Sequence, residues 1–430
     1  MDSNLSGRTI RAEMSDRAAR EMPDRPWTEG ALDAAAAGVA YWCCTSVLVV
    51  VAVLFGTRLV KLCRVHPSAQ TADSLAEACS VWDGEWYRRI AAHGYSYHPT
   101  RMSSVAFYPA YPMLAAGIAR LTGLRVEWSL LLVSHVSLAA AFTLLAAYTA
   151  RRWPLRGIGL VDSVLLAFGL FPTTLYYRMA YTESVFLLTA LAVMYAIERG
   201  WSPALVALLV GWATATRPVG VALLAPLLLY VWQRQSGRLR FVATSVVLLP
   251  VACWGLLAYM AYLKTEFDEP LAFVKTQEHW RRCDPPATVG DKVWTLATFK
   301  PLREVYRPGS PCHWKRDPPH DFSFFNGTFL NPIYWLFTAA MVALGALNGW
   351  LNAKEWSLGA LLLLIPYIAG GDVQCMASEM RYSSVVFPMY LVLGQILHRL
   401  PASLATLFLA ASACLLALYS ALFVSWYWFY

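Results

Sequence analysis

The sequence predicts an all-α polytopic membrane protein, and two observations carry this prediction. Hydrophobic residues make up 58% of the 430 residues and charged residues only 14%, whereas a soluble domain averages about 25% charged residues. Apolar stretches near the roughly 20 residues that a bilayer requires recur from Val39 to the C-terminus. A soluble enzyme with one anchor is therefore excluded. The net charge of +8 does not indicate nucleic-acid binding, because the sequence has no basic aromatic platform.

The elements follow in order from the N-terminus. Residues 1–37 are polar and of mixed charge, so we predict a disordered cytoplasmic segment, and the lack of an apolar h-region predicts no cleaved signal peptide. A transmembrane domain of residues 38–430 follows, with about eleven spans. The predicted spans are 38–60, 127–149, 157–176, 183–198, 201–216, 218–233, 241–263, 329–348, 356–371, 383–398 and 402–428. The apolar stretch 105–121 is broken by Pro109 and Pro112, so we predict that it is re-entrant or interfacial.

Positive charges in the short loops predict the orientation. Arginines cluster at 151–156 and 234–240 and are sparse in the alternate loops, and the positive-inside rule assigns the richer loops to the cytoplasm. The N-terminus is then cytoplasmic and the C-terminus is not. The first long loop, residues 61–126, and the Pro-rich second long loop, residues 264–328, both lie on the non-cytoplasmic side.

Several ionisable residues fall on this same predicted face. They are Asp83, Arg178, Glu183, Arg217, His279, Glu379 and Arg381. Ionisable residues at membrane depth are costly and usually mark a functional site. Because a pump or channel more often distributes such charges across the bilayer midplane, this pattern favours a site at one membrane interface.

The motif SVWDGEWYRRIAAHGYSYHP, residues 80–99, combines charged and aromatic side chains in the first long loop. As a helix it places Asp83, Tyr87 and Ile90 on one face, which is typical of an amphipathic helix in the membrane interface. One interpretation is an anchor in which the helix dipole favours Asp83 at the N-terminus. The other is a carboxylate that acts as a base on a sugar hydroxyl while aromatic rings stack on the sugar.

This motif resembles the first luminal loop of the PIG-V family of glycosylphosphatidylinositol (GPI) mannosyltransferases. The matching residues are Trp82, Asp83, Trp86, Tyr87, Ile90, Ala91, Gly94, Tyr95, Ala106, Phe107, Pro109, Tyr111 and Pro112. YTESVF at 181–186, ATRPVG at 215–220 and DVQCMASEMRY at 372–382 also resemble family segments, although Asp372 replaces a histidine. The stretch 276–325 matches poorly.

The resemblance implies a GT-C glycosyltransferase fold with interfacial helices in the first luminal loop. It implies an inverting α-1,6-mannosyltransferase that uses dolichyl-phosphate mannose as donor. The implied acceptor is the mannosyl-glucosaminyl-phosphatidylinositol intermediate of GPI-anchor biosynthesis, and the implied location is the endoplasmic reticulum membrane with a luminal active site. A small membrane subunit is a further potential partner. We expect no cofactor and no divalent metal, because only one phosphate leaves and the acidic and histidine residues lack ligand spacing.

The resemblance also implies roles for individual residues. Asp83 is the candidate general base toward the acceptor 6-hydroxyl. Arg381, Arg217 and Arg178, in that order, are candidates for the donor phosphate, because a guanidinium binds phosphate through two hydrogen bonds. The structural alternative for each is a side chain that extends to the membrane interface, or an ion pair, of Arg381 with Glu379 and of Arg178 with Glu183. The other candidate substrate-binding residues are Trp82, Trp86, Tyr87, His93, Tyr111, Glu183, His279 and Glu379.

Two other functions stay open from the sequence. A related transferase could move a sugar from a polyprenyl phosphate to another glycolipid or polymer. A transporter or scaffold subunit is the non-enzyme alternative, but it predicts inverted repeats, which the sequence does not display.

The chain contains nine cysteines, an odd number that leaves at least one outside intramolecular pairs. If the second long loop lies in an oxidising lumen, a disulfide between Cys283 and Cys312 could brace it.

Overall fold

The computed structural model describes residues 27–64, 69–316 and 325–427. Within these ranges helices are the only regular secondary structure, which confirms the predicted all-helical class. The α-helices are α1 (Trp27–Leu59), α2 (Leu75–Ala78), α3 (Asp83–His93), α4 (Ala110–Thr122), α5 (Val126–Arg152), α6 (Gly157–Leu170), α7 (Glu183–Glu198), α8 (Pro203–Thr216), α9 (Leu224–Arg234), α10 (Arg238–Ala252), α11 (Trp254–Phe267), α12 (Ala272–Lys275), α13 (Val289–Ala297), α14 (Lys300–Glu304), α15 (Gly327–Leu347), α16 (Ala353–Gly370), α17 (Glu379–Ser384), α18 (Pro388–Leu397) and α19 (Ala402–Val424). Short 3₁₀ helices are Ser104–Ala106, Pro154–Arg156, Pro172–Arg178, Pro218–Leu223, Thr276–Trp280 and Trp314–Arg316.

Four helical segments are long and apolar enough to cross a membrane. They are Asp33–Leu59, Val126–Arg152, Gly327–Leu347 and Ala402–Val424. The number rises to six if each of two bent pairs is one span. The described chain is therefore a membrane protein with several apolar helices. The predicted count of about eleven is not confirmed, since other predicted spans are shorter helices such as α8 and α18.

Prolines explain why two predicted spans are not straight. The predicted span 157–176 divides into α6 and a 3₁₀ helix that begins at Pro172, with a bend of 78°. The predicted span 241–263 divides at Cys253, where α10 and α11 meet at 50° just after Pro250. A proline lacks the backbone N–H and clashes with the preceding turn, so each helix stops near it.

The first helix begins at Trp27, earlier than the predicted start at residue 38. Its Ala-rich first turns have high helix propensity, so part of the segment predicted to be disordered is helical, while residues 1–26 lie outside the described ranges. Two glycines fit α1 closely to its neighbours. A Cβ at Gly38 would lie 2.5 Å from the backbone of Thr143, and one at Gly56 would lie 2.6 Å from a carbonyl oxygen of α19.

The first long loop contains the predicted amphipathic helix. Helix α3 spans Asp83–His93 and buries Gly84, Tyr87, Ile90 and Ala91, whereas Ala92 and His93 are exposed. The apolar stretch 105–121 forms α4, whose 13 residues are too few to cross a bilayer.

The two long loops pack against each other. The His279 Nε2 atom bonds to the carbonyl oxygen of Pro99 at 3.0 Å. The Trp280 ring lies against Trp86 and Phe107, with centroid separations of 6.1 and 6.4 Å. These contacts close a shared space beneath the loops, and that space holds the candidate site.

Candidate active site

The main cavity has a volume of about 1050 Å³ and is lined by several parts of the chain. The first long loop contributes Asp83 and Tyr87, the second contributes His279, and residues 369–385 contribute Arg381. Arg217, at the end of α8, also lines the wall. Sites for drug-sized ligands span about 300–1,000 Å³, so this cavity can hold a ligand larger than one sugar.

Asp83 is the first residue of α3, and its position is fixed by its neighbours. Its backbone N–H donates to the Tyr181 hydroxyl at 3.2 Å, and its side chain is 28% exposed. The preceding residue, Trp82, has a φ of +60°, a region that costs about 1–3 kcal/mol for a residue with a side chain. The Trp82 indole N–H donates to the carbonyl of Phe423 at 3.2 Å, and its ring packs on Trp426. Trp82 therefore holds the backbone that presents Asp83.

A buried network of opposite charges connects Asp83 to the helices behind it. The Arg381 guanidinium donates to carboxylate oxygens of both Asp83 and Glu183. Arg217 donates to the same Glu183 oxygen at 2.5 Å and to the Thr182 hydroxyl at 3.3 Å. Glu183 is fully buried and Arg381 nearly so. Charge-assisted bonds of this kind are the stronger class of hydrogen bond, so the network fixes the direction of the Arg381 and Asp83 side chains.

The chain reaches Arg381 through an irregular segment, the 371–378 turn. Cys375, Met376 and Ser378 all have positive φ values in this turn. The backbone N–H groups of Arg282 and Cys283 both donate to the Val373 carbonyl, at 2.8 and 3.1 Å. The turn is thus bound to the second long loop.

A disulfide also connects the turn to that loop, but its partners differ from the prediction. The bond joins Cys312 to Cys375, and not Cys283 to Cys312. The Cys283 sulfur lies 3.2 Å from that of Cys312 and 3.3 Å from that of Cys375. The prediction failed because the 371–378 turn folds back onto the loop and brings a third cysteine to the same place.

These three cysteines are the group of potential metal ligands that meets within 4.8 Å in the described ranges. Because Cys312 and Cys375 share a disulfide, their sulfurs are not thiolate ligands in this state. The expectation of a reaction without a divalent metal stays a prediction.

The sequence pattern of the family described as mannosyltransferase (PIG-V) matches residues 53–284, more than half of the chain. The chain belongs to the PIG-V family. The matched region contains Asp83, Glu183 and Arg217, whereas Arg381 and the 371–378 turn lie beyond it.

Similar proteins carry a more specific name. GPI alpha-1,6-mannosyltransferase 2 of Cricetulus griseus is 33% identical over 268 residues, which cover 60% of this chain and 51% of that protein. The Homo sapiens protein of the same name is 31% identical over 293 residues, covering 63% of this chain and 54% of that protein. This member of the PIG-V family therefore spans about half the length of the curated relatives it matches.

A similar solved structure is the Archaeoglobus fulgidus oligosaccharyltransferase tethered to an acceptor peptide. Its TM-score is 0.43 at 12% identity, with 89% of this chain and 55% of that chain covered.

From the sequence, one base and three phosphate-binding arginines are predicted at the site. Three of these four residues line the main cavity, and one does not. Asp83, Arg217 and Arg381 meet there as expected. Arg178 does not line this cavity; it is buried and donates to the hydroxyls of Thr45 and Ser46. The structural alternative for Arg178 is also wrong, since Glu183 pairs with Arg217 and Arg381.

The predicted aromatic residues divide between wall and support. Tyr87 lines the cavity, and burial raises its pKa to about 12, so the phenol stays neutral. Trp86 does not line the wall but stacks on Phe107, which does, at 5.6 Å. Tyr111 is fully buried, and its hydroxyl lies 2.9 Å from that of Ser134. Trp82, Trp86 and Tyr111 therefore support the wall and do not face the cavity.

The remaining predicted contacts have mixed outcomes. His279 lines the cavity, whereas His93 is exposed at the end of α3, outside the lining. Glu183 lies behind the wall as the shared partner of two arginines. Glu379 is buried and does not line the cavity. The ion pair between Glu379 and Arg381, the structural alternative for Arg381, is not formed, because Arg381 pairs with Asp83 and Glu183.

Sequence reasoning missed several charged residues of the wall. Among them are Arg281, Arg282, Lys292 and His313 in the second long loop and Asp372 in the 371–378 turn. Lys292 and His313 lie beyond the stretch that the PIG-V pattern matches, so the family resemblance could not reveal them. The basic pair directly after His279 and Trp280 was the available signal.

Proposed function

We propose that the chain is an inverting α-1,6-mannosyltransferase of GPI-anchor biosynthesis. In this proposal it transfers mannose from dolichyl-phosphate mannose to the mannosyl-glucosaminyl-phosphatidylinositol intermediate. The observation that carries the proposal is a half-buried carboxylate, Asp83, held by Arg381 at the wall of a large cavity. Membership of the PIG-V family and the names of the similar proteins support the sugar and the acceptor.

The reaction requires one base and one stabilised leaving group. The acceptor 6-hydroxyl loses its proton to an Asp83 oxygen as its own oxygen forms a bond to the anomeric carbon of the donor. The acceptor oxygen approaches on the face opposite the phosphate, and the bond from the anomeric carbon to the phosphate oxygen breaks. This in-line displacement inverts the configuration at that carbon. The electron pair leaves with the lipid phosphate. Arg381 opposes the charge of Asp83 and directs one carboxylate oxygen.

The arginines divide two tasks in this mechanism. Arg381 is engaged by Asp83 and Glu183, so it positions the base and compensates its negative charge before the proton arrives. Arg217 lines the cavity and uses one nitrogen, Nη1, for Glu183 and Thr182. Its other nitrogens suit the phosphate of the donor, since a guanidinium offers several donors in a fixed plane. We therefore rank Arg217 above Arg381 for the phosphate.

The location and the fold form part of the same proposal. An endoplasmic reticulum membrane protein with a luminal cavity would meet both lipid substrates, and the GT-C architecture implied by the family resemblance suits a lipid-phosphate donor. A small membrane subunit is a further proposed partner. Transfer should proceed without a divalent metal, because a single phosphate leaves and the arginines supply its counter-charge.

Asp83→Asn tests this function in cells that lack the second mannose transfer. The substitution preserves shape and removes the base, so we expect no return of GPI-anchored protein to the cell surface and accumulation of the one-mannose intermediate. Glu85→Gln is the matched control, because Glu85 lies on the same helix, pairs with Arg89 and does not line the cavity. Full rescue by Asp83→Asn at wild-type protein level would reject Asp83 as the base. Failure of the wild-type chain to rescue would reject the assigned step.

A further inference from the structure

Asp372 lines the main cavity and is not used by the mechanism above. Its side chain is 3% exposed, and no described residue donates a hydrogen bond to either carboxylate oxygen. An ionised carboxylate that is buried without hydrogen bonds carries a large desolvation cost. Because Asp372 is part of the cavity wall, a ligand bound there can supply the missing donors.

The charged groups near Asp372 do not already satisfy it. The nearest cation is the Lys292 ammonium, 3.9 Å from one Asp372 oxygen, which is beyond hydrogen-bond distance. The Lys292 side chain is 36% exposed, and a solvated lysine contributes little to such a pair. Arg281 and Arg282 line the same cavity, but neither forms an ion pair with Asp372 among the contacts described.

The chain connects Asp372 directly to the reacting centre. Asp372 lies in the 371–378 turn, and the same strained segment leads into α17 and Arg381, which holds Asp83. The turn is fastened by the disulfide at Cys375 and by the bonds to the Val373 carbonyl. The two carboxylates therefore belong to one wall with a fixed relation to each other.

We propose that Asp372 binds the protonated amine of the acceptor's glucosamine. This inference rests on the proposed function, in which the reacting mannose is bonded to an amino sugar. Asp83 and Asp372 line the same cavity, so in this proposal the mannose hydroxyl meets Asp83 while the ammonium of the next sugar donates hydrogen bonds to the Asp372 oxygens. Among the groups on such an acceptor, the amine is the cation, so a buried carboxylate selects it over an acetylated amine.

The test compares two lipids on the purified full-length chain in detergent. One is the mannosyl-glucosaminyl-phosphatidylinositol with a free amine, and the other is the same lipid with the amine acetylated. We expect the wild-type chain to bind the free amine at least about tenfold more tightly, as for hydrogen bonds to a charged group. Asp372→Asn should reduce this preference to within about twofold.

Two further variants separate the ligand from local electrostatics. Asp268→Asn removes an exposed carboxylate that does not line the cavity, and it should keep the wild-type preference. Lys292→Gln should also keep it, because Lys292 does not bond to Asp372. Loss of the preference in Lys292→Gln but not in Asp372→Asn would overturn the assignment.

The remaining outcomes also decide the proposal. Equal binding of the two lipids by the wild-type chain overturns the proposed amine site. This test needs no variant, so it remains decisive even if Asp372→Asn does not fold. An undiminished preference in a folded Asp372→Asn protein overturns it as well. Mannose transfer is measured in parallel with dolichyl-phosphate mannose. A wild-type chain that prefers the free amine but transfers no mannose to it rejects the proposed reaction and keeps the amine site.

Discussion

Two buried arginine clusters in this molecule differ in their partners. Arg178 donates to the hydroxyls of Thr45 and Ser46 and to the carbonyls of Thr174 and Gly169, all neutral groups. Arg381, buried to a similar degree, donates to two carboxylates. Arg178 forms hydrogen bonds that join neighbouring helical segments, whereas Arg381 belongs to a charge network that ends at the cavity.

The difference shows why burial of a charge alone does not identify a functional site. The Arg178 guanidinium satisfies its hydrogen bonds with neutral partners and lines a smaller second cavity, not the main one. In the second cluster, charges of alternating sign connect fully buried Glu183 through Arg381 to partly exposed Asp83. The charged groups that interact with Asp83 are therefore fixed in place before it accepts a proton. Such preorganisation of charge favours catalysis.

The largest expected effect comes from Arg381→Met. This substitution leaves Asp83 without its partner and Glu183 with Arg217 alone, and breaking a buried pair costs about 3–5 kcal/mol. We also expect transfer to fall by on the order of 10²–10³-fold per folded molecule, as when a preorganised donor is removed. Thermal unfolding of the purified protein and mannose transfer with dolichyl-phosphate mannose measure the two effects separately.

Arg381→Lys is the control for charge without the planar fork. A lysine ammonium cannot donate to Asp83 and Glu183 in the geometry of a guanidinium, so stability should recover more than transfer does. Full recovery of transfer in the lysine variant would show that charge alone, and not the direction of the Asp83 side chain, is required.

Arg178→Met applies the same substitution to the other cluster. Loss of the hydrogen bonds to neutral groups should lower the free energy of unfolding by about 1–3 kcal/mol, partly offset because a buried charge disappears. Transfer per folded molecule should stay within about twofold of wild type, since Arg178 does not line the cavity. A loss of transfer as large as that in Arg381→Met would contradict the distinction between the clusters.

Local patterns explain what the sequence predicted correctly. The helix at 83–93 follows from residues three and four positions apart, and the buried face with Tyr87 and Ile90 is the face that this spacing predicts. Composition predicted the helical membrane class for the same reason, because it depends on no distant contact.

Distant contacts explain what the sequence could not predict. Glu183 and Arg381 are 198 positions apart, so nothing local shows that Glu183 is a shared partner and not a substrate contact. Trp82 is equally uninformative from sequence, because its partner carbonyl is 341 positions away. Arg178 was misleading, since it precedes a family motif but bonds to Thr45 and Ser46 and does not line the main cavity. The disulfide partner Cys375 depended on the fold of the 371–378 turn.

The smallest expected effect concerns Glu379, which extends the comparison from arginines to buried carboxyl groups. Glu379 is 2% exposed, and its Oε2 atom has no hydrogen-bond partner among the described residues. Burial raises the pKa of this carboxyl well above its usual value. The pKa of Glu379 is then higher in the folded state than in the unfolded state. Its contribution to stability is therefore complete below the ordinary carboxyl pKa of about 4.3. That contribution declines as the pH rises above this value.

Glu379→Gln imitates the protonated form and should remove that decline. We expect equal melting temperatures for variant and wild type near pH 4.5, and a more stable variant, by about 1 kcal/mol, near pH 7.5. Glu183→Gln should act in the opposite direction at pH 7.5, because it removes the charge that Arg217 and Arg381 both face. A Glu379→Gln protein that is less stable than wild type at pH 7.5 would mean that Glu379 is ionised and paired, and the contrast between the two carboxyl groups would then fail.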